Sequence, residues 1–437
     1  MGKILKSLNI AKIIFILVIS VFSLPSHATT NFYQELEMLA SRLPEIRETL
    51  NKIKLSELEK NKISIAAEPS LNFSTLGNYP ILSNLKQDRS RANNKDSYLD
   101  GKLTFNFPLY DFGEIKFQMS AEEMQKRALE IEFEKLKQTI IFEIIKDCID
   151  IIKSNTNIQL LQNTIKSFED TLALAKLRYT GGTGTLTSVR RLNLLGFELI
   201  TELKQTKFEL DLQKKSFLRR YKTDSDTYIN LVKYNLKKLQ IEPKDLKIEN
   251  LSFIKKNLFE TKALDANIQA IEASRWPSLD LKLTGTFYET ENNFISENEL
   301  LGGVELSMPL YDANLRSTQI DMLSIEKNIL LQNRQKTKRD IQLAFRENKT
   351  SLEKLLVKQS DNKQKINDIQ ESLKGLNFSS NAIRTNDFEI ASLELQRQAT
   401  LRQIALYKWD EKFFNLENAL ITETLTETLV SLVSEEK

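Results

Sequence analysis

The chain has 437 residues, of which only 12 are glycine and 8 are proline, well under half of the usual share. A sequence with so few turn-forming residues favours long, uninterrupted elements. A single cysteine, Cys148, and a single histidine, His27, argue against disulfide frameworks, Cys/His zinc sites and histidine-dependent triads. Phosphate-binding loops, dinucleotide fingerprints, metal-ligand clusters and nucleophile elbows are also missing, so we expect no enzyme, no catalytic residue, no metal and no cofactor.

The N-terminus predicts a secretory signal peptide. Three lysines precede an apolar run from Ile13 to Leu24, and small residues follow as far as Ala28, where we expect cleavage. The run is too short to span a bilayer, which takes about 20 helical residues. Removing residues 1–28 takes away three of the 62 basic residues and leaves 59 against 59 acidic ones, so no nucleic-acid partner is expected. The remainder has no run of 18 apolar residues and could enter a membrane only through strands.

Proline-containing landmarks show that the sequence contains a repeat. Pro69-Ser70-Leu71 recurs as Pro277-Ser278-Leu279, and Pro108-Leu109-Tyr110-Asp111 recurs as Pro309-Leu310-Tyr311-Asp312. Between these landmarks apolar and polar residues alternate with period two, which is typical of strands with one apolar and one polar face. We expect Pro108 and Pro309 to end strand pairing and to redirect the chain into helix. Strands are predicted near 70–77, 99–108, 278–288 and 301–309, with polar loops at about 78–98 and 289–299.

After each Pro-Leu-Tyr-Asp the pattern becomes helical, and proline is missing from 109–242 and from 310–437. A seam that steps by three and four residues, as in a coiled coil, runs through Ile158, Leu161, Ile165, Phe168 and Leu172. A second apolar stripe lies on another face of the same helix, which indicates neighbours on two sides, as in a ring of helices. A helix from Gly113 to Leu177 would be roughly 100 Å long, far more than the thickness of a bilayer.

Each long helix is interrupted at a comparable point, at about 179–188 and 378–387. An aromatic residue is followed three positions later by Gly or Asn in both places, as Tyr179 with Gly182 and Phe378 with Asn381. Glycine and asparagine tolerate positive φ best, so we predict a shared left-handed turn at the tips of two helical hairpins.

A signal peptide, two strand-Pro-Leu-Tyr-Asp-helix units and two such turns together resemble the TolC-like outer-membrane efflux protein family. The resemblance extends from Asn31 to about Leu420. Leu43-Pro44-Glu45-Ile46-Arg47 is also similar to the early Asn-Pro-Glu-Ile/Leu-Arg segment of the family, with Leu43 in place of Asn. Ser188 in the first tip stands where the family often has Asp, whereas Asp387 keeps that residue in the second tip.

The resemblance implies a mainly α fold with a small β part: a trimeric outer-membrane β-barrel that continues into a periplasmic α-helical barrel. From the residues alone, four strands would leave two unpaired edges in lipid, and two to three copies could close a barrel; the number three comes from the resemblance. The expected organisation is a signal peptide 1–28, a first repeat 29–222, an equatorial segment 223–257, a second repeat 258–420 and a tail 421–437. The segment and the tail are expected to form a belt around the middle of the helical barrel.

The function that the resemblance implies is passive conduction in the outer membrane of a Gram-negative bacterium. The trimer would be the exit duct of a tripartite export system, with a periplasmic adaptor, an inner-membrane transporter and outer-membrane lipid as partners. Efflux of small toxic compounds is favoured, and the alternative is the exit duct of a type I protein secretion system. An alternative of another class is a periplasmic coiled-coil adaptor or scaffold protein, but an adaptor has one hairpin, and a scaffold leaves the strands unexplained.

Candidate site residues follow from the same interpretation. Asp387 and Glu389 are candidates for a carboxylate ring at the periplasmic gate, where three-fold repetition would raise their pKa values and attract cations; a plain solvated helix face is the alternative. Candidates for the tip and for adaptor docking are Tyr179, Gly182, Ser188, Arg190, Arg191, Phe378 and Asn381. Candidates for the barrel-to-helix junction are Pro108, Tyr110, Asp111, Pro309, Tyr311 and Asp312, with Trp276 nearby.

Overall fold

The computed structural model describes residues 32–78, 98–238, 244–290, 293–379 and 387–434. The predicted signal peptide, Asn381 and most of the predicted loop at 78–98 lie outside these residues. The helices are α1 Phe32–Ala40, α2 Pro44–Ile65, α3 Glu114–Thr180, α4 Leu186–Tyr221, α5 Ser225–Lys238, α6 Ser252–Ala273, α7 Leu315–Ser379, α8 Asp387–Ile421 and α9 Leu425–Ser434, with a 3₁₀ turn at Ile248–Asn250. The strands are β1 Ser70–Asn78, β2 Tyr98–Tyr110, β3 Ser278–Thr290 and β4 Asn293–Ser307.

Two very long helices follow the two Pro-Leu-Tyr-Asp landmarks. Helix α3 has 67 residues and α7 has 65, which confirms the mainly α fold and the long helix expected from Gly113 to Leu177. Each is followed by a shorter helix, α4 of 36 residues and α8 of 35, so the hairpin repeats. None of the described helices carries an apolar stretch long enough to cross a membrane.

The four strands form one antiparallel sheet in the order β1-β2-β3-β4. The register places Leu71 opposite Phe105, and Phe105 opposite Leu283. The polar residues one position away are aligned in the same way, with Asn72 opposite Thr104 and Thr104 opposite Thr284. Side chains alternate between the two faces of a strand. This register therefore places the apolar side chains on one face of the sheet and the polar side chains on the other.

The prediction of a polar loop at 289–299 is wrong. Strand β3 continues to Thr290 and β4 begins at Asn293, eight residues before the predicted start at 301. The polar segment pairs through its backbone, with Glu297 opposite Tyr288 and Asn298 opposite Phe287. Ladder hydrogen bonds need no apolar side chain, so the composition of this segment hides the strand.

The prediction that proline ends strand pairing holds at one landmark only. Strand β4 ends at Ser307, before Pro309, whereas β2 passes through Pro108 and continues to Tyr110. Pairing with β1 already stops at Asn106, so Pro108 has a neighbouring strand on one side only. The register shifts between Pro108 and Tyr110, and this irregularity accommodates the missing N–H.

The chain divides into two compact units. The first, which we call the strand unit, comprises Pro44–Leu136 and Asp245–Arg346. Its helices follow the order of its strands. Ser56 of α2 donates to Glu122 of α3 at 3.2 Å, Lys256 of α6 pairs with Glu132 of α3 at 2.7 Å, and Lys327 of α7 pairs with Asp265 of α6 at 2.6 Å. The order α2-α3-α6-α7 therefore matches β1-β2-β3-β4, and each helix is continuous in sequence with its own strand.

The second compact unit, which we call the hairpin unit, consists of the described residues within Met1–Leu43, Lys137–Lys244 and Glu347–Lys437. In its core Cys148 is fully buried among isoleucines of α3, and burial raises the pKa of its thiol. The predicted inter-repeat segment contains α5 and the start of α6, and the predicted tail contains α9. Helices α5 and α9 both pack on α1. Each of the three helices has a fully buried leucine, Leu36, Leu236 and Leu429. That these helices form a belt stays a prediction.

Candidate functional site

The first hairpin tip is a tight turn between the end of α3 and the start of α4. Gly182 has φ +78°, the left-handed conformation that the sequence predicts. The backbone N–H groups of Thr183 and Gly184 both donate to the carbonyl oxygen of Arg178 at 2.9 Å. Thr185 caps α4, because its hydroxyl oxygen accepts from the Ser188 N–H at 3.2 Å. Thr185 therefore fixes the start of α4, and the Ser188 hydroxyl lies 2.8 Å from the Thr185 hydroxyl.

Gly184 is a second glycine on which the turn depends, and sequence reasoning missed it. A Cβ atom there would lie 2.9 Å from the backbone nitrogen of Tyr179, closer than real Cβ contacts come. A Cβ on Gly182 would meet nothing within 4 Å, so that glycine is needed for its φ alone. The glycine-rich run Gly181-Gly182-Thr183-Gly184 indicates a tight turn. Spacing alone does not say at which of these glycines another part of the backbone comes too close for a side chain.

The surface of the first tip is partly apolar. Tyr179 and Leu186 are each 42% exposed, and Leu177 is 68% exposed. Arg190 is exposed and makes no ion pair with any described residue. Arg191, in contrast, lies over the ring of Phe388 at 5.4 Å. This cation–π contact joins α4 to α8. The helix α7 includes Phe378 of the second tip, whose side chain lies outside the described residues.

Below the first tip, three helices share a core. Phe168 and Ala175 of α3, Val189 and Leu192 of α4, and Ala391 of α8 are all buried together. Phe388 and Leu395 of α8 pack against this cluster. The start of α8 is therefore attached to the first hairpin by apolar packing.

An ion pair reinforces this attachment. The guanidinium of Arg178, in the last turn of α3, donates to the carboxylate of Asp387, the first residue of α8. Asp387 is only 8% exposed, whereas Glu389 is exposed. A carboxylate at a helix N-terminus is also favoured by the helix dipole. Sequence reasoning did not identify Arg178 as a partner, because residues 209 positions apart give no local signal of their contact.

A second ion pair joins the same two hairpins further from the tip. Arg402 of α8, only 16% exposed, donates to Glu202 of α4 at 2.8 Å. Two cations from opposite hairpins thus each bind a carboxylate of the other hairpin. We call the pair Arg178–Asp387 the tip latch.

At the barrel-to-helix junctions, the aspartate of each Pro-Leu-Tyr-Asp caps a long helix. Asp111 accepts from the N–H groups of Gly113 at 3.0 Å and Ile115 at 2.7 Å. Asp312 does the same for Asn314 at 3.1 Å and Arg316 at 3.4 Å. The residues between have positive φ in both repeats, as the pairs Phe112 with Gly113 and Ala313 with Asn314. The aspartate of the motif is therefore an N-terminal helix cap. Its carboxylate accepts hydrogen bonds from N–H groups that have no acceptor within the helix.

The junction also collects ionic and aromatic contacts. The hydrogen bond from Arg316 holds the pKa of Asp312 below its usual range. The ring of Phe112 lies 4.7 Å from Tyr110 and 5.7 Å from Trp276, whereas Tyr311 is 88% exposed. Tyr110 and Trp276 are also more than half exposed.

We expect Asp111→Ala to weaken the start of α3. The substitution removes two hydrogen bonds to the first helical turn, and the loss of such a cap costs about 1–2 kcal/mol. Amide exchange at 113–117 should accelerate about tenfold in hydrogen-exchange mass spectrometry. Asp321→Ala is the matched control, because Asp321 is exposed within α7 and caps nothing among the described residues. Unchanged exchange at 113–117 would show that the carboxylate does not hold this turn.

No protein-family model matches the chain, and no curated protein matches it in sequence. Solved structures do match over nearly the whole length. The outer membrane protein VceC from Vibrio cholerae has a TM-score of 0.68 at 14% identity, covering 91% of this chain and 95% of that one. The CmeC outer membrane channel of Campylobacter jejuni has a TM-score of 0.69 at 11% identity, covering 93% and 89%.

The open state of the Neisseria gonorrhoeae MtrE outer membrane channel gives a similar result, with a TM-score of 0.67 at 13% identity over 91% of this chain and 90% of that one. These identities are low, so the likeness concerns the arrangement of the chain rather than its side chains. The three matches cover 91–93% of this chain and 89–95% of the neighbouring chains. The chain therefore has the fold of the TolC-like outer-membrane channels, as the sequence resemblance predicted.

Proposed function

We propose that this chain is the outer-membrane exit duct of a tripartite export system and conducts substrates passively from the periplasm to the exterior. The observation that carries the proposal is the four-stranded sheet with one apolar face, one polar face and two open edges. We propose no catalytic activity, no cofactor and no nucleic-acid partner for it.

The apolar face of the sheet is suited to lipid. Phe73, Leu283, Val304 and Leu306 are among its members, and each exposes more than a third of its side chain. The opposite face carries polar groups, including an ion pair between Lys282 and Glu305 at 3.0 Å. An outward apolar band with an inward polar lining is the pattern of a transmembrane barrel that encloses water.

The two flanks of the strand unit explain how the sheet would be completed. Strands β1 and β4 each have one neighbour only among the described strands, so both outer edges are open. Helix α2, next to β1, exposes an apolar stripe on the side away from α3, through Leu50, Leu58 and Ile65. Helix α7, next to β4, exposes another through Met322, Ile325 and Ile329.

A second copy of the chain would complete both flanks at once. Each copy would place its β1 edge and α2 stripe on the β4 edge and α7 stripe of the next one. Such a head-to-tail contact closes into a ring when the rotation per copy allows it. We propose a trimer, and the number three is supported by the TolC-like fold rather than by the chain itself.

We propose that the hairpin tips meet a periplasmic adaptor and, through it, an inner-membrane pump. The apolar surface around Tyr179 and the exposed Arg190 support the first tip as a docking surface. We further propose that the start of α8 is the gate. Within the chain, Asp387 is buried and pairs with Arg178, whereas Glu389 is exposed.

Fractionation tests the proposed function. The protein should be recovered with outer membranes and should resist alkaline extraction, because the apolar face of its sheet would lie in lipid. Recovery as a soluble periplasmic species would instead favour a coiled-coil scaffold. Deleting the gene, followed by parallel assays of drug susceptibility and of the secreted proteome, would separate efflux, which we favour, from type I secretion.

We expect Gly182→Val to impair export while leaving the trimer yield largely unchanged. A β-branched residue at a φ of +78° costs about 1–2 kcal/mol, so the turn should change its conformation without affecting the strand unit. Export and co-purification of the adaptor should fall together. Gly375→Val in α7 is the matched control, since a Cβ there meets nothing within 4 Å and φ is helical. Normal export by Gly182→Val would exclude this turn from docking.

A further inference from the structure

A groove runs along α6 in the strand unit, between α3 and α7. It consists of two adjoining cavities that share Asn267. The junction cavity, of about 690 Å³, lies at the ends of β3 and β4, and the helix cavity, of about 450 Å³, continues along α6 away from the sheet. Both are large enough for a drug-sized molecule.

The groove opens toward the polar face of the sheet. Ser278 and Ser307 line the junction cavity and are directly opposite each other in the ladder. Two residues further along the strands, Asp280 is opposite Glu305, which belongs to the polar face with Lys282. Residues two apart share a face, so the serines belong to the polar face too.

The geometry of α7 indicates the same side. Successive residues of a helix are rotated by about 100°. Seen down the axis of α7, Leu330 faces α6 and Ile325 belongs to the exposed apolar stripe. Glu326 lies on the narrower of the two arcs between these directions. The narrower arc between two neighbours is the inner side of a ring of helices. In the proposed duct the groove therefore faces the lumen.

The lining of the groove combines an apolar floor with excess negative charge. Ala263, Leu264, Ile271, Leu323 and Leu330 supply the apolar surface. Of the described residues, three glutamates line the helix cavity, Glu122, Glu260 and Glu326, and no lysine or arginine does. Glu122 accepts from Ser56 at 3.2 Å, Glu260 has Lys256 at 3.6 Å, and Glu326 has no partner among the described residues.

Among the described residues, Arg316 is the only cation that lines the junction cavity, and it is already paired within the chain. Arg316 binds Asp312 at 3.0 Å and donates to Ser274 at 2.9 Å, which leaves the charges of Asp111 and Glu114 in excess. Burial, and then the neighbouring Asp111, raise the pKa of Glu114. A negative ligand would add to this repulsion, whereas a cation would relieve it.

We propose that this groove binds amphipathic organic cations during their passage through the duct. The apolar floor would bury the hydrocarbon part of such a molecule, and the carboxylates would neutralise its charge. The proposal rests on the proposed function and narrows it, because it names the class of substrate: lipophilic cations rather than anions or unfolded proteins.

Dye binding tests the proposal on the full-length protein purified from outer membranes in detergent. The probe is rhodamine 6G, a monocation, and fluorescein, a dianion on the same ring system, is the comparison. Fluorescence anisotropy should show rhodamine 6G bound at least tenfold more tightly than fluorescein. The double variant Glu260→Gln with Glu326→Gln should weaken rhodamine 6G binding about tenfold, because two carboxylates facing the cation are lost.

The matched control is Glu272→Gln with Asp321→Asn, which removes one charge from each of the same two helices outside the groove. Both residues are exposed and line neither cavity. The control should bind rhodamine 6G as the wild type does. If the double variant assembles poorly, Glu326→Gln alone serves, since Glu326 is exposed and its loss should weaken binding about threefold.

Equal loss of affinity in the groove variant and the control, or no loss in either, would overturn the groove assignment, as would equal binding of the two dyes. Single-channel recording in planar bilayers distinguishes a failure of the groove proposal from a failure of the proposed function. A wild-type protein that conducts ions but shows no groove-dependent dye binding would refute the groove alone. A wild-type protein that forms no channel would refute the duct itself.

Discussion

Replacing Ile325 by glutamate should convert the assembled protein into monomers. Ile325 lies at the centre of the exposed stripe on α7 that we assign to the next copy of the chain, and 59% of it is exposed in the single chain. An unpaired carboxylate buried in an apolar contact costs several kcal/mol, and a closed ring would repeat that cost at every interface. Light scattering after size-exclusion chromatography should report the mass of one chain.

Asn328→Glu is the matched control for this substitution. Asn328 is exposed on the same helix, one turn away from Ile325 and on the wider, outward arc. It should add the same charge without changing the mass. Wild-type mass for Ile325→Glu would exclude the α7 stripe from the interface, and dissociation of both variants would show a general sensitivity to charge rather than a specific contact.

The features of this fold that the sequence predicts are those with a short-range signal. The period-two alternation gave the apolar and polar faces of the sheet, and the absence of proline gave the long helices α3 and α7. Gly182 is predicted to be left-handed because it follows Tyr179 by three residues at a break in the helical pattern, and glycine tolerates positive φ. Each of these depends on residues within a few positions of one another.

The features that the sequence did not predict depend on partners that are distant in the chain. The segment at 293–299 looks like a loop by composition and is a strand because β3 offers its backbone. Asp111 belongs to a repeated motif, which the sequence shows. Its two N–H partners come within reach because Phe112 and Gly113, just before α3, have positive φ. Arg178 carried no signal at all, since its partner Asp387 lies on the other hairpin.

Breaking the tip latch should have a large effect on single-channel conductance. We expect Arg178→Met and Asp387→Asn each to raise single-channel conductance severalfold, because either change removes the ion pair that holds the start of α8 on the first hairpin. A hydrogen bond between charged groups contributes about 1.5–3 kcal/mol, and Arg178 is 34% exposed, so the lower part of that range applies. Recordings in planar bilayers at constant salt measure the effect.

These two variants distinguish a latch from a ring of charge, because they change the net charge in opposite directions. A latch predicts that both open the mouth, and that the exchange Arg178→Asp with Asp387→Arg restores part of the closed state. A carboxylate ring predicts that only the loss of acid alters conductance and cation preference, and that Glu389→Gln acts like Asp387→Asn. An unchanged conductance in Arg178→Met, with a reduced cation preference in both acid variants, would replace the latch by the ring.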